Sequence, residues 1–321
     1  MCTAIHYHGK DGHFFGRNLD LDFTYWEQVV ITPQRFPLSF RNGFTLSTHQ
    51  AMIGMATVSD GYPLYYEATN EKGLSMAGLN YPGLATYLPK AAGKDNLAPF
   101  EVIPWILGQC SCVDEARQLL QNMNVWDLPF SQEFPTSPLH WMICDCEKSI
   151  VAEPMADGLH IYEDPFGVLT NNPPFPYHLY HLADYRNLTA QPSKDRCTAG
   201  KLPPYSNGMG AIGLPGDFSS ASRFVRAAFV KENSAEIGSS VSQFFHILSA
   251  VSMPCGSIRM EDGRCEITQY SSCCDTKKCI YYYTTYHNRR ITAVDMRKTN
   301  LAESELICYP LRKSEDVYWE N

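Results

Sequence analysis

The chain has 321 residues, 44% of them hydrophobic, 19% charged and 12% aromatic, the make-up of a globular protein with a packed core. Its formal net charge of −8 comes without any stripe of lysine and arginine, which argues against a nucleic-acid partner. The N-terminus lacks the basic and apolar regions of a secretory signal, and no stretch approaches the roughly 18 apolar residues of a spanning helix, so no membrane insertion is expected and the protein is read as cytoplasmic, with its cysteines reduced.

Residues 2–8, 13–19, 28–32, 51–58 and 74–79 are β-branched, aromatic or alternating, with turn signals at Lys10-Asp11-Gly12 and Arg41-Asn42-Gly43. The Asp11-Gly12 turn predicts that residues 13–19 pair antiparallel with residues 2–8. After Pro99 the period changes: Ser111 precedes Asp114 as a capping box, and Val113, Ala116, Leu119, Leu120 and Met123 recur at helical spacing. Strand signals return over 139–172 as a meander of hairpins, which implies a second sheet.

The segment 184–216 is rich in Pro, Gly, Asn and Ser, a connection long enough to be functional or to lie at an interface. Two helices follow, at about 219–233 and 239–251, each opened by capping serines. The chain closes in further strands, among them CIYYYTTYHN and RRITAVDM. Two sheets that each carry helices on one face predict a single α+β domain over residues 1–321, built as a four-layer αββα sandwich.

Initiator methionine is removed when a small residue follows, so the mature chain is expected to begin at Cys2. That residue then holds a thiol and an α-amine whose reference pKa of about 8 leaves it partly a free base. A base on the nucleophile's own residue is the device of N-terminal threonine and cysteine hydrolases. The hairpin returns Arg17 of the segment Gly16-Arg17-Asn18-Leu19-Asp20 toward Cys2, and a cationic side chain there favours a thiolate. Asp20 is placed to orient the α-ammonium. Residues three apart on a strand face opposite sides, so a strand end or bulge near Leu19 is expected.

MCTAIHYHGKDGHFFGRNLDLDF resembles the start of the choloylglycine hydrolase family, which holds the bile salt hydrolases and penicillin V acylases. The resemblance continues through NEKGLSMAGLNYPG, LHWMICD, GVLTNNPPFPYH, GLPGDFSSASRFVRAAF and QYSSCCDTKKCIYYYTTY, and so covers essentially the whole chain. It implies an N-terminal-nucleophile hydrolase fold with Cys2 as nucleophile, supported by Arg17 and Asp20. It further implies that Asn80 and Asn171 build the oxyanion hole and that Arg223 is the second basic residue near the sulfur. The implied reaction is hydrolysis of conjugated bile salts, and the implied assembly is a homotetramer joined in part through residues 184–216. Asn80 stands where penicillin V acylases can carry tyrosine, which favours bile salts over penicillin V. Other N-acyl amides, including acyl homoserine lactones, and a non-catalytic binding role are the alternatives.

Phe23, Tyr25, Trp26, Tyr62, Tyr65, Tyr66, Trp126, Phe130 and Phe134 are candidates to line an apolar pocket. His6 and His8 alternate on a strand, and His178 and His181 stand three apart; neither pair has an evident further ligand, so all four are read as structural. Cys273, Cys274 and Cys279 lack a second pair of zinc ligands and are read as buried small hydrophobes. No metal and no cofactor is expected.

Overall fold

The computed structural model describes residues 1–195, 197–235 and 238–321. Strands β1 (Cys2–Gly9) and β2 (Gly12–Leu21) open the chain as the predicted hairpin, followed by β3 (Gln28–Thr32), β4 (Met52–Ser59), β5 (Tyr62–Asn70) and β6 (Ser75–Asn80). Helices α1 (Val102–Gln109) and α2 (Val113–Asn122) come next, then β7 (Leu139–Cys144), β8 (Ser149–Met155), β9 (Gly158–Glu163) and β10 (Val168–Leu169). Three more helices, α3 (Phe175–Ala183), α4 (Ser220–Glu232) and α5 (Ser240–Ser249), lead to β11 (Ile267–Asp275), β12 (Ile280–Thr285), β13 (Thr292–Asp295) and β14 (Ile307–Pro310).

The first sheet runs β10-β1-β2-β11-β12-β13 and the second β9-β8-β7-β6-β5-β4-β3-β14. The sheets are therefore not two consecutive blocks of sequence, as the meander at 139–172 suggested. After β9 the Asp164 carboxylate accepts the main-chain N–H groups of Phe166 (3.1 Å) and Val168 (3.0 Å). This turn sends β10 across to pair with β1, while β14 returns to the edge beside β3.

Alternation along the second sheet splits its side chains between two cores. Val29, Ile31, Ile53, Met55, Ala77, Leu79, Met142 and Val151 pack against the first sheet. Val30, Met52, Ala56, Met76, Trp141, Ile143, Ile150 and Ala152 pack under Val102, Trp105, Ile106 and Leu107 of α1 and Val113, Ala116 and Leu120 of α2. Both faces are covered, so these strands are buried almost end to end. On the far side, Phe224, Ala227 and Ala228 of α4 and Phe244 and Ile247 of α5 cover the first sheet. The four-layer αββα sandwich predicted from sequence is the observed fold. At Gly16 an added Cβ would stand 2.0 Å from the Ser272 carbonyl, so the glycine before Arg17 is what lets β2 and β11 approach.

Two helices were not anticipated. The run VIPWIL of α1 is apolar on every face and carries Pro104, and α3 begins in NNPPFPYH; both patterns hide a helical period. At α2 the capping residue is Cys112 rather than Ser111, and the main-chain N–H of Ser111 is instead held by Glu115 Oε2 at 2.6 Å.

Candidate active site

The pairing of β1 with β2 sets Cys2 opposite Leu19 and Ala4 opposite Arg17, so all four side chains lie on the face of the first sheet that meets the second. Arg17 is fully buried. Its Nη1 donates to the carbonyls of Gly78 (2.5 Å) and Tyr66 (3.1 Å), and Nε lies 3.9 Å from Glu67. Burial pulls the guanidinium pKa down, but the negative charges of Cys2, Tyr270, Glu67 and Asp20 outweigh it and raise the pKa, so Arg17 keeps its proton. Its Nη2 has no hydrogen-bond partner among the described residues.

Asp20 approaches from the other face. Its Oδ1 accepts from Thr268 Oγ1 at 2.6 Å, and its main-chain carbonyl accepts from the Met1 α-ammonium at 2.7 Å. Burial raises the Asp20 pKa, opposed first by Arg223 and then by the N-terminal cation. The expected break in β2 near Leu19 is absent: β2 runs on to Leu21, and the irregularity lies in β11, between Thr268 and Tyr270. No bulge in β2 is needed, because the Cys2 sulfur lies on one face while its main-chain nitrogen lies in the plane of the sheet. Arg17 lies on the Cys2 sulfur's side of the sheet, and Asp20 holds Met1 from the other.

Arg223 enters from the first turn of α4, whose Ser219 caps the main-chain N–H of Ser222. Its Nη1 donates to the Cys2 carbonyl and, at 2.7 Å, to Thr3 Oγ1; Nη2 donates to Asn171 Oδ1 at 2.8 Å. Burial lowers its pKa, and the negative charges of Asp20 and Cys2 counter this. Cys2 itself is 2% exposed.

Asn171 Oδ1 accepts from the Cys2 main-chain N–H at 2.8 Å as well as from Arg223. Two donors on one atom fix it as the oxygen, and Nδ2 then donates to the Asn80 carbonyl at 2.7 Å. Asn80 closes β6, opposite Leu139. Hydrogen bonds therefore join Cys2, Asn80, Asn171 and Arg223, and Arg17 and Asp20 lie in the two strand positions beside them. The difference from expectation is that one N–H of the Asn171 carboxamide serves Asn80 and its oxygen holds the nucleophile's own nitrogen.

Residues that sequence reasoning passed over, together with His178, which it read as structural, hold this arrangement. His140, fully buried, joins Glu153 (2.9 Å) to the Thr170 carbonyl (2.9 Å) and stacks on Tyr81, with ring centroids 4.4 Å apart. Glu153 also accepts the Phe175 main-chain N–H, and His178 Nε2 bonds the Asn171 carbonyl at 2.8 Å. The loop that carries Asn171 is thus gripped on both sides. Between the sheets, Glu67 accepts from Tyr270 (2.7 Å) and Tyr281 (2.5 Å) beside Arg17. Burial raises the Glu67 pKa and Arg17 lowers it. A glutamate inside the strand signal YYEATN and a histidine inside LHWMIC were the available clues.

The aromatic candidates divide. Phe23, Tyr25, Phe134, Phe130 and Tyr62 form a continuous chain of ring contacts along the loops after β2 and before β7. Tyr66 lies next to it, its hydroxyl 2.8 Å from Thr57 Oγ1 and its carbonyl on Arg17. Tyr65 instead belongs to the core under α1, Trp126 lies under the Lys90 ammonium, and Trp26 is exposed. Cys273 and Cys274 are buried, with pKa values raised by burial, and behave as small core residues.

The sequence model of the choloylglycine hydrolase family, described as linear amide C–N hydrolases, matches residues 2–309. A bile salt hydrolase/transferase of Lactiplantibacillus plantarum is 49% identical, the match covering 100% of both chains, and one of Clostridium perfringens is 38% identical over 98% of both. The crystal structure of a mutant conjugated bile acid hydrolase from Clostridium perfringens superposes with a TM-score of 0.93 at 37% identity, over 100% of each chain. A penicillin V acylase from Agrobacterium tumefaciens shares the fold, with a TM-score of 0.77 at 18% identity over 98% of this chain and 92% of that one.

Proposed function

This chain belongs to the choloylglycine hydrolase family and is an amide C–N hydrolase, and from that premise we propose that it cleaves the bond joining a bile acid to glycine or taurine, with Cys2 as nucleophile once Met1 is removed. The observation that carries this reading is the convergence of Arg17 from one face and of Arg223 from the other on the first residue after the initiator methionine, with Asp20 beside it holding the Met1 α-ammonium. The names and full-length match of the relatives supply the substrate class.

Removal of Met1 turns the nitrogen now bonded to Asn171 Oδ1 into the α-amine of Cys2. The amine accepts the thiol proton, and the sulfur attacks the amide carbon. The resulting oxyanion meets the second N–H of the Asn171 carboxamide and a donor from Asn80. Loss of one such donor costs about 10²–10³ in rate. The ammonium then protonates the departing nitrogen, the carbon–nitrogen bond breaks, and the amino acid leaves. Water attacks the thioester, the amine takes up its proton, and release of the bile acid restores the thiol.

The chain of rings from Phe23 to Tyr62 offers an apolar wall for a steroid. Hydrolysis of glycocholate, taurocholate and penicillin V measured side by side tests the assignment: preference for a bile salt is expected, and preference for the penicillin overturns it. The exposed Leu202, Tyr205 and Ile212 within residues 184–216 support a homotetramer, testable by light scattering. Among the described residues no helix is long and apolar enough to cross a membrane.

A further inference from the structure

At the far end of β1 from Cys2, three histidines stand together. His6 and His8 alternate along β1, and His13 pairs with His8 across the hairpin, a register that puts the three rings on one face. The ring centroids of His6 and His8, and those of His8 and His13, are each 4.6 Å apart. One ring nitrogen from each residue lies within 4.8 Å of the other two.

The sequence reading took His6 and His8 for structural residues satisfied by their neighbours. Instead, His6 Nε2 and His13 Nδ1 are buried without a hydrogen-bond partner among the described residues, and His6 is only 4% exposed. An orphaned buried nitrogen is costly, so such atoms call for a ligand or another specific cause. A neutral imidazole is the form that binds metals. Among the other charged groups that act on His6, Lys231 opposes a bound cation and Asp145 favours it; the Lys231 ammonium is itself paired with Glu232 at 2.9 Å. His8 is exposed and opens the cluster to solution.

We propose that His6, His8 and His13 form a binding site for a divalent transition metal ion of the zinc type, with water as the fourth ligand. Such an ion holds imidazole nitrogens at about 2.0–2.1 Å, and rotation of the exposed His8 ring lets the trio close. At ~3.3 Å per strand residue His6 and His8 lie about 13 and about 20 Å along β1 from Cys2, so the ion takes no part in the hydrolysis. Its effect is to clamp the hairpin whose strands carry Cys2, Arg17 and Asp20.

Calorimetric titration of the chelator-treated, reduced enzyme with Zn²⁺ tests this, alongside His8→Gln, His13→Gln and a Cys255→Ser/Cys265→Ser double variant. The double variant removes a competing thiol pair, since these two thiols lie close enough to interact. One Zn²⁺ per chain is expected, bound at least tenfold more weakly by either histidine variant and unchanged in the cysteine variant. Zn²⁺ should also raise the melting temperature of the wild type more than that of His8→Gln. Metal-free turnover should be equal in wild type and His8→Gln, which separates loss of the site from misfolding. Absence of binding, equal binding by the histidine variants, or loss of binding in the cysteine variant overturns the proposal.

Discussion

Asn171 Oδ1 accepts hydrogen bonds from the main-chain nitrogen of Cys2 and from Nη2 of Arg223, both at 2.8 Å. One carboxamide thus fixes the Cys2 nitrogen proposed above as the base and holds a cation at the same place, while its own N–H side faces Asn80. Asn171→Ala is expected to lower kcat by about 10²–10³, the usual cost of a lost oxyanion donor, with Cys2 still present and alkylatable. Steady-state kinetics beside alkylation mass spectrometry checks this; an unchanged kcat would remove Asn171 from the machinery.

His140 and Glu153 form a buried pair beneath the loop that carries Asn171. They act on that loop's position. His140→Leu is therefore expected to lower kcat about 10–10²-fold through misplacement of the loop, with KM little changed. A rise in KM at constant kcat would place His140 in substrate binding instead.

Glu67 is the buried carboxylate beside Arg17, and two tyrosines hold it. Replacing it with Leu strands a guanidinium between the sheets and is expected to cost about 3–5 kcal/mol. Glu67→Gln, which retains hydrogen bonding, is expected to cost about 1–3 kcal/mol. Urea denaturation of the two variants should show this order.

Much of this was readable beforehand, for identifiable reasons. The Asp11-Gly12 turn fixes the register that returns Arg17 to Cys2's face, and the serines before α4 and α5 mark helix starts near their observed positions. Which strands share a sheet was not readable, because β10 and β14 cross between sheets through long-range pairing that leaves no local signal. The roles of Glu67 and His140 were hidden for a similar reason. Each sits in an apolar strand, and its partners lie far away along the chain, as Tyr270 and Tyr281 do from Glu67.

Asp164 gives the fold a pH dependence. Burial raises its pKa to about 7, against about 3.9 in an unfolded chain. Between those values the native state keeps a proton that the unfolded state has released, so stability is full below about pH 4 and falls as the pH rises toward 7. The shift of about three units corresponds to at most ~4 kcal/mol at 1.36 kcal/mol per unit. Asp164→Asn should flatten this decline in denaturation measured from pH 5 to 8; a parallel decline in wild type and variant would assign it to another group.

The claim on which the reaction rests is that the N-terminal residue of the working enzyme is Cys2. Intact mass and peptide mapping of active protein, before and during graded alkylation with iodoacetamide, address it directly. A chain lacking Met1 is expected, with a loss of turnover that tracks modification of Cys2. Active protein that retains Met1, or turnover that survives complete modification of Cys2, would contradict it.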